Sequence, residues 1–472
     1  MTERRSPLGR KLAMGTAVIL GLAGAAGARA ESLNEALVMA YASNPELLQQ
    51  RAVLRALDQG VAQAESGWRP TLTFAADGSS VKREDYSYNG THVRDIWRQD
   101  RSVGVTLAQS VFSGFRTVSA VDQAEHQVLA GRAQLHSVEQ KVLLAAITAY
   151  LDVWRDRAVV DLTRNNEQVL TRQLQASRDR FQVGEITRTD VAQSEARLAK
   201  AQADRIAAEG NLKVSRAAYQ KTIGKEPEDT GRASPADGLP GDLATLLTEA
   251  AASNPDVRAA DFAAQAGSDA VDLARGQLLP DVKVQASASK YNDQSYSDDS
   301  MKVYAIGATM TMPLYEGGAV YAQVRAAKDQ AARARLAFEQ ARRQVTESGI
   351  SAWESLESAK AQIAALREEV RASEIALDGV RREADVGQRT VLDVLDAEQE
   401  LLDARVNLVR AERGEVVASY QVRAAIGRLT AVDLGLDTPF YDPNVHYEEA
   451  SGKWIGTGVF SDAGKEGLSL RK

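Results

Sequence analysis

VGQRTVLDVLDAEQELLDARVNL occupies residues 386–408, and VGEITRTDVAQSEARLAKAQADR occupies residues 183–205. Both begin Val-Gly, both place Asp-Val seven residues after the Val, and both continue into a long stretch containing Ala and Leu. The offset of 203 residues holds onward to Ile223-Gly224 and Ile426-Gly427, and backward to SVFSGF (110–115) and PLYEGG (313–318). Further upstream it becomes 210: Pro70 matches Pro280, and Asn44-Pro45 matches Asn254-Pro255. A step of seven confined to one place is how a loop insertion looks. The chain is therefore a duplicated half-molecule, with repeats at 31–227 and 241–436 and a linker at 228–240, inside the Gly- and Pro-rich run 224–241.

Each half carries the same signals in the same order. A short helix, capped by Ser32 or Asp242, stops near the Asn-Pro, and a second helix leads to the next Pro. The period then changes from helical to alternating. Val103, Val105 and Leu107 alternate with Gly104 and Thr106, and Tyr304, Ile306, Ala308 and Met310 alternate with Ala305, Gly307 and Thr309. Strands are expected at about 71–83, 101–112, 281–291 and 302–313, as two hairpins with polar loops at 83–101 and 291–302. Strands of this length suffice to cross a bilayer at a tilt.

No proline stands between Pro70 and Pro227 or between Pro313 and Pro439. Within these spans, 118–180 and 319–383 read as single helices, each of them about 90 Å long at 1.5 Å per residue. Helices at 188–222 and 390–425 follow the Val-Gly turns. Val394, Ala397, Leu401, Ala404, Leu408 and Ala411 keep coiled-coil spacing, with Leu395, Leu402, Val409 and Val416 as a second seam. Periodicity alone fits equally a closed ring of helices and a two-helix coiled coil in solution. The strands fit either a small soluble sheet or a spanning barrel. Four strands cannot close a barrel, and open edges are not tolerated in lipid, so spanning requires several chains to share one barrel.

The first residues bear on compartment. Arg4, Arg5, Arg10 and Lys11 precede an apolar run, and Ala28-Arg29-Ala30 has small-x-small form, so residues 1–30 read as a secretory signal peptide. Cysteine is absent, which excludes disulfides and thiolate metal sites. The formal charge is −7, and the leader's five basic residues and one acid leave −11 on the remainder, arguing against a nucleic-acid partner. The four histidines, His92, His126, His136 and His446, lack metal-ligand spacing. GVFSDAGKEG (458–467) misses the phosphate-loop pattern, with five residues between its glycines and Glu466 in place of Ser or Thr. No enzyme and no cofactor is expected.

The duplicated order of helix, hairpin, very long helix, VG-x-x-T-x-x-DV turn and long helix resembles the TolC family of outer-membrane channel-tunnel proteins. The closing stretch AAIGRLTAVDLGL (424–436) and YDPNVHYEEASGKWIG (441–456) resembles its type I secretion branch. The resemblance implies a homotrimer with a 12-stranded outer-membrane β-barrel, four strands per chain, continued by a periplasmic α-helical coiled-coil barrel. It implies passive conduction in outer-membrane lipid, with a periplasmic membrane-fusion adaptor and an inner-membrane ABC transporter or proton-driven pump as partners. Type I protein secretion leads, a multidrug efflux outlet is the alternative within the fold, and a soluble periplasmic coiled-coil adaptor is the alternative from another class.

Site residues follow from the same likeness. Val183, Gly184, Val386 and Gly387 would form the periplasmic tip where the adaptor docks, beyond their turn chemistry. Asp393 and Asp396 would make an acidic ring at the entrance. Asp393 and its counterpart Asp190 also suit the first turn of a helix, where acids meet the dipole, whereas Asp396 has only Gln193 opposite it in the other repeat. Arg389 would latch the entrance to Thr189 and Asp190, and Ala384 replaces a tyrosine of that network. Residues 437–472 read as a C-terminal periplasmic tail, irregular after about 450.

Overall fold

The computed structural model describes residues 32–83, 86–93, 96–292, 299–458 and 468–469. The expected signal peptide lies outside the described residues, as does most of the 458–467 glycine run. The short opening helices are α1 (Leu33–Ser43) and α2 (Pro45–Glu65) in the first repeat, and α5 (Leu243–Ser253) and α6 (Pro255–Gly276) in the second. The long pairs are α3 (Arg116–Gln182) with α4 (Arg188–Ile223) and α7 (Ala319–Asp385) with α8 (Val391–Ala425). Both α3 and α7 run for 67 residues, about 100 Å of helix.

Asn-Pro does more than stop α1 and α5. Asn44 and Asn254 end one helix and start the next, each side chain accepting from the backbone N–H two residues on. Their amide groups also donate across the fold, Asn44 Nδ2 to Thr222 O at 2.9 Å and Asn254 Nδ2 to Ala425 O at 3.0 Å. These carbonyls belong to the last turns of α4 and α8, where helices leave acceptors orphaned. One residue type thus fastens three helix ends in each repeat.

Four strands form one antiparallel sheet. β1 (Thr71–Arg83) pairs with β4 (Ile96–Phe112), β4 with β5 (Asp281–Asn292), and β5 with β6 (Ser300–Thr311). The order β1-β4-β5-β6 leaves β1 and β6 as edges. A small ladder of β2 (Tyr86–Tyr88) and β3 (Thr91–Val93) continues the first hairpin. The expected loop at 83–101 is therefore corrected: β1 and β4 stay paired to Arg83 and Ile96.

The register collects like residues on one face. Leu72 pairs with Leu107 and Phe74 with Val105, and Leu107 and Val105 meet Ala286 and Ala288, which pair in turn with Ile306 and Tyr304. The opposite face carries Thr73, Thr106, Ser287 and Ala305, aligned in the same way. Phe74, Ile306 and Tyr304 are 70–82% exposed. On β4 the apolar residues are exposed and the alternate small ones half-buried.

The main core gathers α1, α2, the middle of α3 and the ends of α4 and α8, around Leu37, Leu54, Leu143, Ile147, Tyr150 and Tyr219. Both seams expected on α8 are occupied in part: Val394, Leu401 and Ala404 are buried, and so are Leu395, Leu402 and Val416.

The C-terminal segment is not irregular from 450. β7 (Phe440–Tyr441) and α9 (Pro443–Gly452) pack against α2, and β7 pairs with β8 (Leu468–Ser469). His446 Nδ1 lies 2.7 Å from Asp58 Oδ2, a carboxylate with no solvent exposure. Arg69 donates to Ser451 O at 3.1 Å and Lys453 O at 3.2 Å while stacking over Trp454. Burial pushes the Asp58 carboxyl above the ordinary range, with the His446 hydrogen bond opposing it.

Candidate functional site

The helical end opposite the sheet is built twice by the same chemistry. α3 stops because Gly184 takes the left-handed conformation at φ 79°, and α7 because Gly387 takes φ 78°. Gly184 N–H donates to Phe181 O and Glu185 N–H to Arg180 O; Gly387 and Gln388 repeat this onto Ala384 and Glu383. This is the Schellman pattern, which satisfies the last carbonyls of a helix. Val183 and Val386, the residues before the glycines, are 72% and 70% exposed.

Three residues past each glycine the chain turns into α4 or α8 through a capping box. Thr187 Oγ1 accepts from Asp190 N–H, and the Asp190 carboxylate accepts from Thr187 N–H at 2.9 Å. Thr390 and Asp393 repeat this at 3.2 and 2.9 Å. The Thr of the VG-x-x-T-x-x-DV motif is thus the N-cap and its Asp the third residue of the helix. The backbone N–H and then the hydroxyl of Thr390 hold the Asp393 carboxyl below its usual range, with Arg389 adding to the effect.

Asp396 has a partner in the other repeat. The Arg197 guanidinium of α4 binds its carboxylate across the seam between repeats. Arg389 points elsewhere than the expected latch: its Nε donates to Glu383 Oε2 at 2.8 Å. Arg389 and Asp190 do line one cavity of about 650 Å³ between the two tips, together with Arg180, Arg381 and Asp385. Within one chain they form no bridge, and Thr189 stands exposed outside that lining. Glu383 lies six residues before Arg389, across the Gly387 turn.

Two further bridges were legible by alignment. Arg178 with Glu195 and Arg381 with Glu398 occupy equivalent positions at the 203-residue offset. Each joins a long helix to the helix after its turn, the first at 2.8 Å. Among the described residues no group of acids and histidines is arranged to hold a metal ion. The tip offers charge and shape.

Comparison with known proteins bears on the whole chain. The family described as outer membrane efflux protein matches residues 36–225 and 246–428, one match per repeat. The outer membrane efflux protein BepC of Brucella suis is 39% identical, over 91% of this chain and 92% of that protein. The outer membrane protein TolC of Vibrio cholerae is 26% identical, over 86% of this chain and 92% of that protein. Proteins named for protease secretion are among further relatives. The crystal structure of the Campylobacter jejuni CmeC outer membrane channel superposes with a TM-score of 0.77 at 16% identity, covering 89% of each chain. The repeated sheet-and-long-helix fold and the match over both repeats place this chain in the outer membrane efflux protein family, as an outer-membrane channel protein with a long helical tunnel portion.

Proposed function

We propose that three copies of this chain form the outer-membrane exit duct of a tripartite export system. The observation that carries this reading is the four-stranded sheet with an exposed apolar face and two unpaired edges. In lipid every backbone group must be paired, and only closed barrels or helices achieve that. Pairing the β6 edge of one copy with the β1 edge of the next gives 12 strands from three copies, and the helix pairs below extend the duct. Transport through it is passive. An inner-membrane ABC transporter or proton-driven pump and a periplasmic adaptor supply cargo and energy.

The tip is the periplasmic entrance in this reading. Val183-Gly184 and Val386-Gly387 present exposed apolar knuckles to the adaptor. Asp393 and Asp396 face the axis, where carboxylates from three chains favour cations. Arg389 latches to Thr189 and Asp190; support comes from the cavity that Arg389 and Asp190 share.

Type I protein secretion is the leading cargo class, supported by the 424–456 stretch and by relatives named for protease secretion. Efflux of small molecules is a second reading, favoured by the name of the 39% identical relative. Deleting the gene in its host separates them. Loss of specific proteins from the culture supernatant with unchanged drug susceptibility supports secretion; the reverse supports efflux. A periplasmic monomer on membrane fractionation, in place of a heat-resistant outer-membrane trimer, would sink the duct altogether.

A further inference from the structure

Duplication left the two tip helices with opposite charge along one face. On α8, Asp393, Asp396, Glu400 and Asp403 follow one another at spacings of three and four. The equivalent places on α4, 203 residues earlier, are Asp190, Gln193, Arg197 and Lys200. The first position is shared because both helices need the same cap. From the second turn onward the copies diverge, acidic on α8 and basic on α4.

These faces meet inside one chain. Leu198 and Ala201 of α4 pack with Val391 and Leu395 of α8 over Leu170 of α3, giving the seam an apolar floor. Along its edge the Arg197 guanidinium binds Asp396, and Lys200 Nζ lies 3.4 Å from Gln399 Oε1. Arg197 is 30% and Asp396 57% exposed, so the pair is partly shielded at the arginine end. The bridges Arg178–Glu195 and Arg381–Glu398 fasten each repeat's own hairpin and have equivalents in both copies. Arg197–Asp396 has no equivalent, and it ties one repeat's hairpin to the other's.

We propose that Arg197 is a gating and selectivity-determining residue of the entrance, a role that rests on the duct reading above. It does two things at once. It cancels the charge of Asp396, so that the Asp393 carboxylates set the cation preference of the ring. It also holds α8 against α4, so that widening the entrance by moving the second hairpin away from the first must break this pair. An exposed ion pair shifts such an equilibrium about 1.4- to 5-fold per chain, and three chains multiply the effect.

The test uses the full-length protein reconstituted in planar bilayers, with conductance and block by hexaamminecobalt as readouts. R197Q raises the resting conductance and, by freeing three carboxylates, lowers the blocking concentration about tenfold. Adding the second change, R197Q with D396N, leaves conductance raised and returns block to the wild-type level. The charge swap, R197D with D396R, restores low conductance, which also controls for misfolding of the single variants. The proposal is overturned if R197Q matches wild type in both readouts, if the R197Q/D396N pair weakens block as D393N does, or if the swap behaves as the sum of its parts. A wild-type protein that forms no pore defeats the duct reading and this proposal with it. A conducting wild type with an indifferent R197Q defeats this proposal alone.

Discussion

Gly387 and Gly427 hold nearly the same left-handed backbone, at φ 78° and 77°, yet they stand in different surroundings. A Cβ at Gly387 would meet open space, whereas at Gly427 it would fall 2.5 Å from the carbonyl oxygen of Ser253. Gly387→Ala should therefore cost only the backbone term, about 1–2 kcal/mol. Gly427→Ala adds a clash with backbone and should disturb the Asn254 cap on α8 next to it. Thermal melting followed by circular dichroism should show the larger loss for Gly427→Ala; equal losses would contradict the close approach. Both glycines were legible as turn residues, because each follows an apolar β-branched residue at the end of a helical span in both repeats. The contact with Ser253 was not legible, since 174 residues separate the partners and no local pattern records it. Arg197 escaped for the same reason. Its partner lies 199 residues away, and on its own helix it reads as one more solvated charge.

The long helices were readable because proline is missing from two spans and the apolar residues keep coiled-coil spacing, both of which are local properties. Against expectation α3 gained two residues at each end and α7 two at its C-terminal end, while α4 and α8 moved by one at a single end, since a helix runs until a glycine or cap stops it, here Phe115 and Val183 around α3. The C-terminal segment was not readable. It is short, polar and without periodicity, and its order comes from contacts made with α2. Asp58 shows what that contact is worth. Its carboxylate is fully buried, one oxygen meets His446, and the other has no hydrogen-bond partner. Removing the imidazole with His446→Ala leaves the carboxylate less well satisfied, at about 1–3 kcal/mol. The tail should then open more often, and trypsin should cut at Lys453 about 5 to 160 times faster where opening is fast relative to cleavage. A cleavage rate equal to wild type would show that Arg69 and the Tyr41–Tyr441 hydrogen bond hold the segment without it.

At the scale of the molecule, a sheet with two faces and two edges constrains what surrounds it. Leu72, Phe74, Ile306 and Tyr304 stand largely exposed on one face of a single chain, more apolar surface in one patch than a water-soluble monomer ordinarily shows. Lipid against that face and neighbouring strands against both edges remove the liability together. The two faces then respond differently to the same substitution. Ile306→Lys places a charge on the lipid side, which costs about 2–4 kcal/mol near the bilayer midplane, once per chain. Ser287→Lys sits on the opposite face, one position along from Ala286, the residue paired with Ile306. Expressed separately, Ile306→Lys should fail to yield a heat-resistant trimer in the outer-membrane fraction. Ser287→Lys should assemble in normal amount and alter ion selectivity, since its charge then lines the water-filled bore. If instead Ser287→Lys blocks assembly while Ile306→Lys is tolerated, the sheet curves the other way. Its apolar face would then pack against protein, and the barrel would have to be rebuilt with the polar side outward.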